Sequence, residues 1–241
     1  NNPYLRSHPL TAARITHVCD HVANSKYSHL KSNPQIQTMH DRMRGKLRGF
    51  INPSERTLQE YSPNDPNLGA QYARAIALSK DQEVDRAVAV VDGLIAASPQ
   101  DPFFHELKGD LLKEGGYTQE AISPYTKALE LLPWAALIKI NLAQLQLENR
   151  SDGQLVRARD NLIDALRYEP EMASAWRLLA TAEGRLGNAG KASLALAEEA
   201  SLRKDKTRAL SHSKRAMESL PEGSPGWFRA QDIQNSFKEK E

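Results

Sequence analysis

Residues 109–133, GDLLKEGGYTQEAISPYTKALELLP, decide the fold that we predict for this chain. Its key positions are Gly109, Ala121, Tyr125, Ala128 and Pro133. Spacings of three and four residues place side chains on one face of a helix. Proline ends a helix because it cannot donate the intrahelical hydrogen bond. The stretch therefore predicts two antiparallel helices that approach closely, with a small residue on one helix leaving space for a ring from the other.

The pattern of the second helix recurs along the chain, which indicates an internal repeat. Three further copies are Ala87, Val91, Leu94, Pro99; Ala158, Leu162, Ala165, Pro170; and Ala209, Ser213, Ala216, Pro221. The leading alanines are 34, 37 and 51 residues apart, and a weaker copy at Ala192 and Leu196 divides the last interval into 34 and 17. Because 17 is half of a 34-residue unit, we expect neighbouring pairs to share one helix there.

A small residue precedes most of these alanines by twelve positions. The pairs are Ala75 with Ala87, Gly109 with Ala121, and Ala180 with Ala192. From Ala143 to Ala158 the interval is fifteen, so we expect three extra residues in the polar turn 149–153, where an insertion costs little. Each apolar stripe is buried only when the next pair stacks on it, so the sequence predicts an all-α superhelical array of antiparallel helix pairs.

This arrangement resembles the tetratricopeptide repeat over roughly residues 66–221. The matching residues are Gly109, Gly116, Ala121, Tyr125, Ala128 and Pro133 in one unit, and Trp176, Leu179, Ala180, Gly187 and Ala192 in another. The sequence departs from the repeat at Lys108, where Leu is usual, and at Glu199 and Lys204, where a small residue and Pro are usual. The resemblance implies that a protein or an unfolded peptide binds on the concave side, which the first helix of each pair lines.

Projecting the 34-residue register onto the first helices predicts a partner-binding surface. Its residues are Tyr72, Glu106, Asp110, Lys113, Asn141, Gln144, Arg177, Thr181 and Arg185. Asn141 and Gln144 are suited to hydrogen-bond an extended peptide backbone, and Arg177 and Arg185 are suited to pair with carboxylates. Taken singly, each residue also fits a solvent-facing position. A full set of carboxylate-clamp residues is not evident, which disfavours a receptor for C-terminal tails.

Four helices are predicted outside the repeats. They cover residues 11–24, with Thr11 as a possible cap, and residues 35–50, 53–61 and 227–238, the last as a polar-backed cap of the array. A turn cluster at 63–66 is the predicted boundary between an N-terminal helical segment, 1–62, and the repeat array with its cap, 63–241. Because the chain starts at Asn1 without a signal peptide, we expect it to be part of a longer protein.

Two segments resemble bacterial zinc metalloproteases of the BepA type. They are residues 4–15, YLRSHPLTAARI, and residues 223–230, GSPGWFRA. In that family the first segment follows a catalytic domain with an HExxH motif, and a tetratricopeptide tail comes after it. The resemblance implies a periplasmic or otherwise exported parent protein, with zinc in a catalytic domain upstream of Asn1. It also implies that His8 lines or covers that active site, although His8 equally fits a loop residue that fixes a turn.

This chain itself is expected to be inactive as a protease and to hold no cofactor. It has no HExxH motif, and the pair His105-Glu106 lacks a second histidine at the required spacing. The hypothesis is a substrate- or partner-recruiting domain of a metalloprotease involved in envelope protein quality control. The alternatives are a free-standing adaptor or assembly scaffold, and metal-dependent catalysis by this chain, for which His17 and His21 are one helical turn apart. That histidine pair also fits a solvated helix face.

Composition narrows the remaining classes. The 241 residues are 40% hydrophobic and 26% charged, and 32 Lys+Arg against 30 Asp+Glu leave a net charge of +2, which disfavours a nucleic-acid partner. No apolar run approaches the roughly 20 residues that span a bilayer. The single Cys19 excludes an intrachain disulfide.

The densest group of basic residues consists of Arg42, Arg44, Lys46 and Arg48. Because these residues alternate, their charge is predicted to divide between two faces of a helix. They fit either solvated side chains or a surface that binds phosphate or anionic lipid. Neither a Gly-x-Ser-x-Gly elbow nor a phosphate-binding glycine loop is present.

Overall fold

A computed structural model describes residues 11–30, 33–148 and 152–238, and within these ranges every regular element is an α-helix. Three N-terminal helices are α1 (Thr11–Asn24), α2 (Pro34–Ile51) and α3 (Ser54–Glu60). They precede α4 (Leu68–Lys80), α5 (Val84–Ala97), α6 (Pro102–Glu114), α7 (Thr118–Leu131), α8 (Ala136–Glu148), α9 (Asp152–Tyr168), α10 (Ala173–Arg185), α11 (Ala189–Leu202), α12 (Lys206–Ser219) and α13 (Pro225–Lys238). No described helix is long and apolar enough to cross a membrane.

From α4 onward the helices pack as consecutive pairs, and the repeat residues lie where they meet. The leading alanines Ala87, Ala121, Ala158 and Ala209 are fully buried. A Cβ on Gly109 of α6 would lie 2.9 Å from ring atoms of Tyr125 on α7, so the tyrosine ring fills the space that the missing side chain leaves. The all-α repeat architecture predicted from the sequence is therefore confirmed.

The described part of the core is a row of apolar clusters between successive helix pairs rather than one central cluster. One joins α4, α5 and α6 around Tyr72 and Val91, the next joins α6, α7 and α8 around Tyr125, and a third runs from α8 to α11 around Leu162. The last joins α11, α12 and α13 around Ile233. Each helix pair therefore depends on its neighbours for burial, as in other solenoids.

The 17-residue interval from Ala192 to Ala209 spans one helix rather than a pair, because Ala192 lies on α11 and Ala209 on the next helix, α12. As predicted, α11 packs against α10 on one side and α12 on the other. The departures from the repeat at Glu199 and Lys204 lie at the end of α11. Lys204 adopts a left-handed backbone with φ of 59° between α11 and α12. Glu199 is fully buried, and its carboxylate accepts hydrogen bonds from arginine side chains. The C-terminal helix α13 caps this end of the array by burying Ala230 and Ile233.

At the other end, α2 packs lengthwise against α4 through glycines. A Cβ on Gly45 would lie 2.0 Å from the carbonyl oxygen of Gly69, and a Cβ on Gly49 would lie 2.9 Å from the Cβ of Ile76. The ammonium of Lys80, at the end of α4, donates to the carbonyl oxygen of Asn52 at 2.6 Å. Successive positions along α2 therefore contact successive positions along α4 in the same order, so the two helices run parallel.

The helices predicted outside the repeats are confirmed with ends that differ by at most two residues. The domain boundary at 62/63 stays a prediction. The side chain of Thr11 and residues 149–151, most of the polar turn, lie outside the described residues, so the cap and the site of the insertion also stay predictions. His8 lies outside them as well.

Candidate functional site

The first helices of successive pairs, α6, α8 and α10, present side chains on what we call the first-helix face. On α6, the hydroxyl of Tyr125 from α7 donates to Asp110, and the Lys113 ammonium lies 5.9 Å from the centre of the Tyr125 ring. Lys113 also donates to the side-chain oxygen of Asn141 on α8 at 3.0 Å. Three of the predicted binding residues, Asp110, Lys113 and Asn141, are thus linked, the first two through Tyr125.

The carboxyl groups of Glu106, Asp110 and Glu114 form a row on α6, one helical turn apart. Burial raises the pKa of each above its ordinary value. The hydrogen bond from Tyr125 opposes this rise at Asp110, and the ammonium of Lys46 opposes it at Glu106. A carboxyl group that is partly shielded from water interacts more strongly with a cationic or hydrogen-bonding ligand than an exposed one does.

Two basic residues of α2, Arg42 and Lys46, interact electrostatically with Glu106 in this row of carboxyl groups. Arg42 donates to Asp101 at 2.5 Å, and its guanidinium lies 4.6 Å from the centre of the Phe103 ring. Arg48, in contrast, bonds to Glu60 and, at 3.0 Å, to the hydroxyl of Tyr61 on the other side of α2. The predicted division of the basic residues between two faces is confirmed. The sequence did not predict that one of these faces would reach α6, because that contact depends on how α2 docks.

An apolar pocket of 220 Å³ opens at the start of α8, and no motif predicted it. Its walls include Phe103, Trp134, Leu137 and Tyr168. Trp134, Leu137 and Tyr168 are 60%, 54% and 58% exposed, although side chains of this size are usually covered. Glu106 belongs to the same pocket, so apolar and carboxylate surfaces adjoin here. We call this feature the aromatic pocket.

The other predicted residues are placed differently from one another. Tyr72 lies in the core, 1% exposed and with its ring centre 6.4 Å from that of Phe104, so it is not part of the accessible surface. Gln144 is exposed, and the Thr181 hydroxyl donates within its own helix to the Arg177 carbonyl at 3.1 Å. Arg185 donates to the Leu147 carbonyl at the end of α8.

Arg177 reaches toward Glu199, with nitrogen and oxygen 3.6 Å apart. Within the described ranges, no group of three or more His, Cys, Asp or Glu side chains is arranged to hold a metal ion. His17 and His21 lie exposed on α1.

The fold and this face define the class: an array of tetratricopeptide-like helix pairs. MamA (MSR-1, C2) matches with a TM-score of 0.55 and 19% identity over 70% of this chain and 98% of that one. MamA residues 41 to the end from Desulfovibrio magneticus RS-1 match with a TM-score of 0.53 and 16% identity over 70% and 92%. A chain from the structure of Naa15/Naa10 bound to HypK-THB matches with a TM-score of 0.50 and 19% identity over 86% and 34%. At these identities the likeness establishes the fold.

No family model matches the sequence, and no curated protein is significantly similar to it.

Proposed function

We propose that this chain is a protein-interaction scaffold that holds an extended segment of a partner protein on its first-helix face. The aromatic pocket is the observation that carries this proposal, because three large side chains are held half-exposed around one cavity. Pockets of this kind bind apolar anchor residues, and aromatic side chains dominate binding energy at such sites. Asn141 and Gln144 lie on the same helix as Leu137 and offer amide groups to a peptide backbone.

The structural neighbours support a scaffold over an enzyme. The Naa15/Naa10 assembly was solved bound to HypK-THB, so a protein of related fold forms part of a complex with other proteins. Among the hypotheses drawn from the sequence, these neighbours support a free-standing adaptor or assembly scaffold better than a protease domain.

A peptide library displayed on phage and selected on the purified chain tests this proposal. The enriched peptides, labelled with fluorescein, are then titrated by fluorescence anisotropy against the wild type and Trp134→Ser. We expect an apolar consensus residue and affinity about thirtyfold weaker in the variant, which corresponds to the loss of one hot-spot residue at about 2 kcal/mol.

Ile163→Ser is the matched control, since Ile163 is a large apolar side chain, 40% exposed, on the second helix α9. It should bind the selected peptides as the wild type does. Equal loss in both variants, or no loss at Trp134→Ser, would remove the aromatic pocket from the binding surface.

We also propose, from the two segments that resemble metalloproteases, that the chain recruits substrates or partners for an exported, zinc-dependent catalytic domain. One structural observation supports a docked domain at this end. Helix α1 exposes Ile15, Val18 and Val22 on one face, and every side chain described on α1 is exposed. Helix α2 exposes a further apolar row: Ile36, Met39, Met43, Leu47 and Phe50. Rows of exposed apolar side chains along a helix are typical of an interface.

The coding sequence upstream of Asn1 gives the first test, because the proposal requires an HExxH motif there. If the motif is present, the catalytic domain produced separately should associate with this chain in analytical ultracentrifugation. The double variant Ile15→Ser/Val22→Ser should abolish the association, whereas Val156→Ser, an exposed apolar position on α9, should leave it intact. An upstream region without the motif contradicts the protease proposal and leaves the scaffold proposal standing.

A further inference from the structure

Three arginines, two on helices and one just after α11, converge on one buried carboxylate near the C-terminal end of the array. Glu199 of α11 has a fully buried side chain. Its carboxylate oxygens lie 2.6 Å from Nε of Arg203, the residue that follows α11, 3.2 Å from Nη2 of Arg208 on α12 and 3.6 Å from Nη1 of Arg177 on α10. We call these three arginines the arginine cluster.

One carboxylate offsets only one of the three positive charges. The side chains of Arg177, Arg203 and Arg208 are 58%, 52% and 40% exposed, so each keeps part of its guanidinium in solvent. Each guanidinium has five N–H donors, and Glu199 engages few of them. Arg203 and Arg208 both donate hydrogen bonds to the Glu199 carboxylate, whereas Arg177, at 3.6 Å, lies beyond hydrogen-bond distance. Compensation of Glu199 therefore does not account for all three arginines.

The surrounding segment increases the positive charge. Residues 203–215 contain six Lys or Arg and a single acidic residue, Asp205, in a chain whose overall net charge is +2. The carboxylate of Asp205 caps α12 by accepting from the backbone of Arg208 at 3.0 Å. Nearby, the Nδ1 atom of His212 is buried without a hydrogen-bond partner. Outside this segment Glu198 pairs with Arg229 and Glu218 pairs with Lys214, so the excess of positive charge is local to the arginine cluster.

The cluster is positioned before any ligand arrives. Because Glu199 is buried and holds the guanidinium groups from one side, their side chains lose less conformational entropy when they bind a second anionic group. Arginine is suited to carboxylates because its planar fork donates two parallel hydrogen bonds. Several guanidinium groups held in fixed positions can each bind a different carboxylate along one peptide. They therefore fit an acidic peptide better than a single free anion.

We propose that the arginine cluster binds an acidic segment of the partner protein, through the side-chain carboxylates of that segment. This inference rests on the proposed function, since it names the chemistry of the partner that the scaffold holds. The cationic cluster is local in a nearly neutral chain, and carboxyl groups of α6 lie elsewhere on the array. Those carboxyl groups would repel a long polyanion such as a nucleic acid that extended over the array.

Fluorescence anisotropy with a fluorescein-labelled oligoglutamate peptide tests the proposal, with oligoglutamine of the same length as the neutral probe. The double variant Arg177→Gln/Arg203→Gln removes two guanidinium groups and leaves Arg208 to pair with Glu199. Arg167→Gln is the matched control, because Arg167 is an exposed arginine, 72% exposed, on α9. Circular dichroism and thermal unfolding establish that each variant is folded.

We expect the wild type and Arg167→Gln to bind oligoglutamate and not oligoglutamine, with affinity that falls as salt is added. In the double variant binding should be at least about tenfold weaker, the effect of losing two charge-assisted contacts. If the double variant does not fold, the single variant Arg177→Gln, which removes the longest of the three contacts, carries the test with an expected loss of about threefold.

Three results would overturn the inference: no binding of oligoglutamate, equal binding by the double variant and the wild type, or tighter binding of duplex DNA or anionic vesicles than of oligoglutamate. The peptides selected through the aromatic pocket separate this failure from failure of the proposed function. If those peptides still bind, and binding still depends on Trp134, the proposed scaffold function is supported and only the proposal of an acidic partner segment is wrong.

Discussion

Substituting Gly45 by alanine should weaken the docking of α2 on the helical array. A Cβ at this position would lie 2.0 Å from the carbonyl oxygen of Gly69, whereas ordinary contacts begin at 3.4 Å. The crossing of α2 and α4 would therefore have to open by about 1.4 Å, since the obstructing atoms belong to backbone and cannot rotate away.

The magnitude follows from two opposing effects. Alanine in place of glycine inside a helix stabilises the helix by about 1 kcal/mol. Overpacking against a rigid neighbour costs about 1–3 kcal/mol, and the upper part of that range applies to a clash with backbone. Gly93 on α5 has no atom within 4 Å of its Cβ position and gives the matched control. Gly93→Ala should be about 1 kcal/mol more stable than the wild type, and Gly45→Ala about 1–2 kcal/mol less stable.

Hydrogen–deuterium exchange with mass spectrometry locates the effect, and thermal denaturation measures it. We expect faster exchange over α2 and the adjoining face of α4 in Gly45→Ala, with little change beyond α8. The melting temperature should fall by roughly 2–8 °C for a domain of this size. A Gly45→Ala protein that is as stable as Gly93→Ala, with unchanged exchange in α2, would refute the close packing of these helices.

Three further predictions concern Gly109, Asp110 and His212. Gly109→Ala should lower the free energy of unfolding by about 1–3 kcal/mol, because its Cβ would lie 2.9 Å from the Tyr125 ring, and Tyr125→Leu in the same chain should recover part of the loss on thermal denaturation. Asp110→Asn should stabilise the protein at neutral pH. Burial raises the pKa of this carboxyl, so its contribution falls as pH rises from 3.8 through the higher folded pKa; urea titrations of the variant should lack that decline. Burial, assisted by neighbouring arginines, lowers the pKa of His212, so the wild type should lose stability as pH falls below 6.5 toward the folded pKa, and His212→Gln should lose less over the same range.

Much of the fold was predictable because its signals are local. Close approach of two helices requires small residues at set positions, and proline ends the second helix, so Gly109, Ala121 and Pro133 identified a pair without knowledge of the rest of the chain. Repetition of that pattern then predicted the stack. The shared helix before Ala209 followed from the 17-residue interval alone.

The candidate site was predicted less completely, because a helical register gives the face of a residue and not its neighbours. Tyr72 occupies a register position similar to that of Glu106, yet it is buried in the core while Glu106 lines the aromatic pocket. Glu199 was noted only as a departure from the repeat. Its role as the centre of the arginine cluster depends on Arg177 and Arg208, which other helices supply.

The sequence by itself thus determined the helix pairs, their order and the positions where they touch, since each depends on residues within one repeat. Tertiary structure alone decided where the binding features lie. The docking of Gly45 on Gly69 brings Arg42 to α6, and the stacking of successive pairs brings Phe103, Trp134 and Tyr168 around one pocket. These contacts join residues far apart in the chain, and their geometry is set by the angle between helices, which no local spacing records.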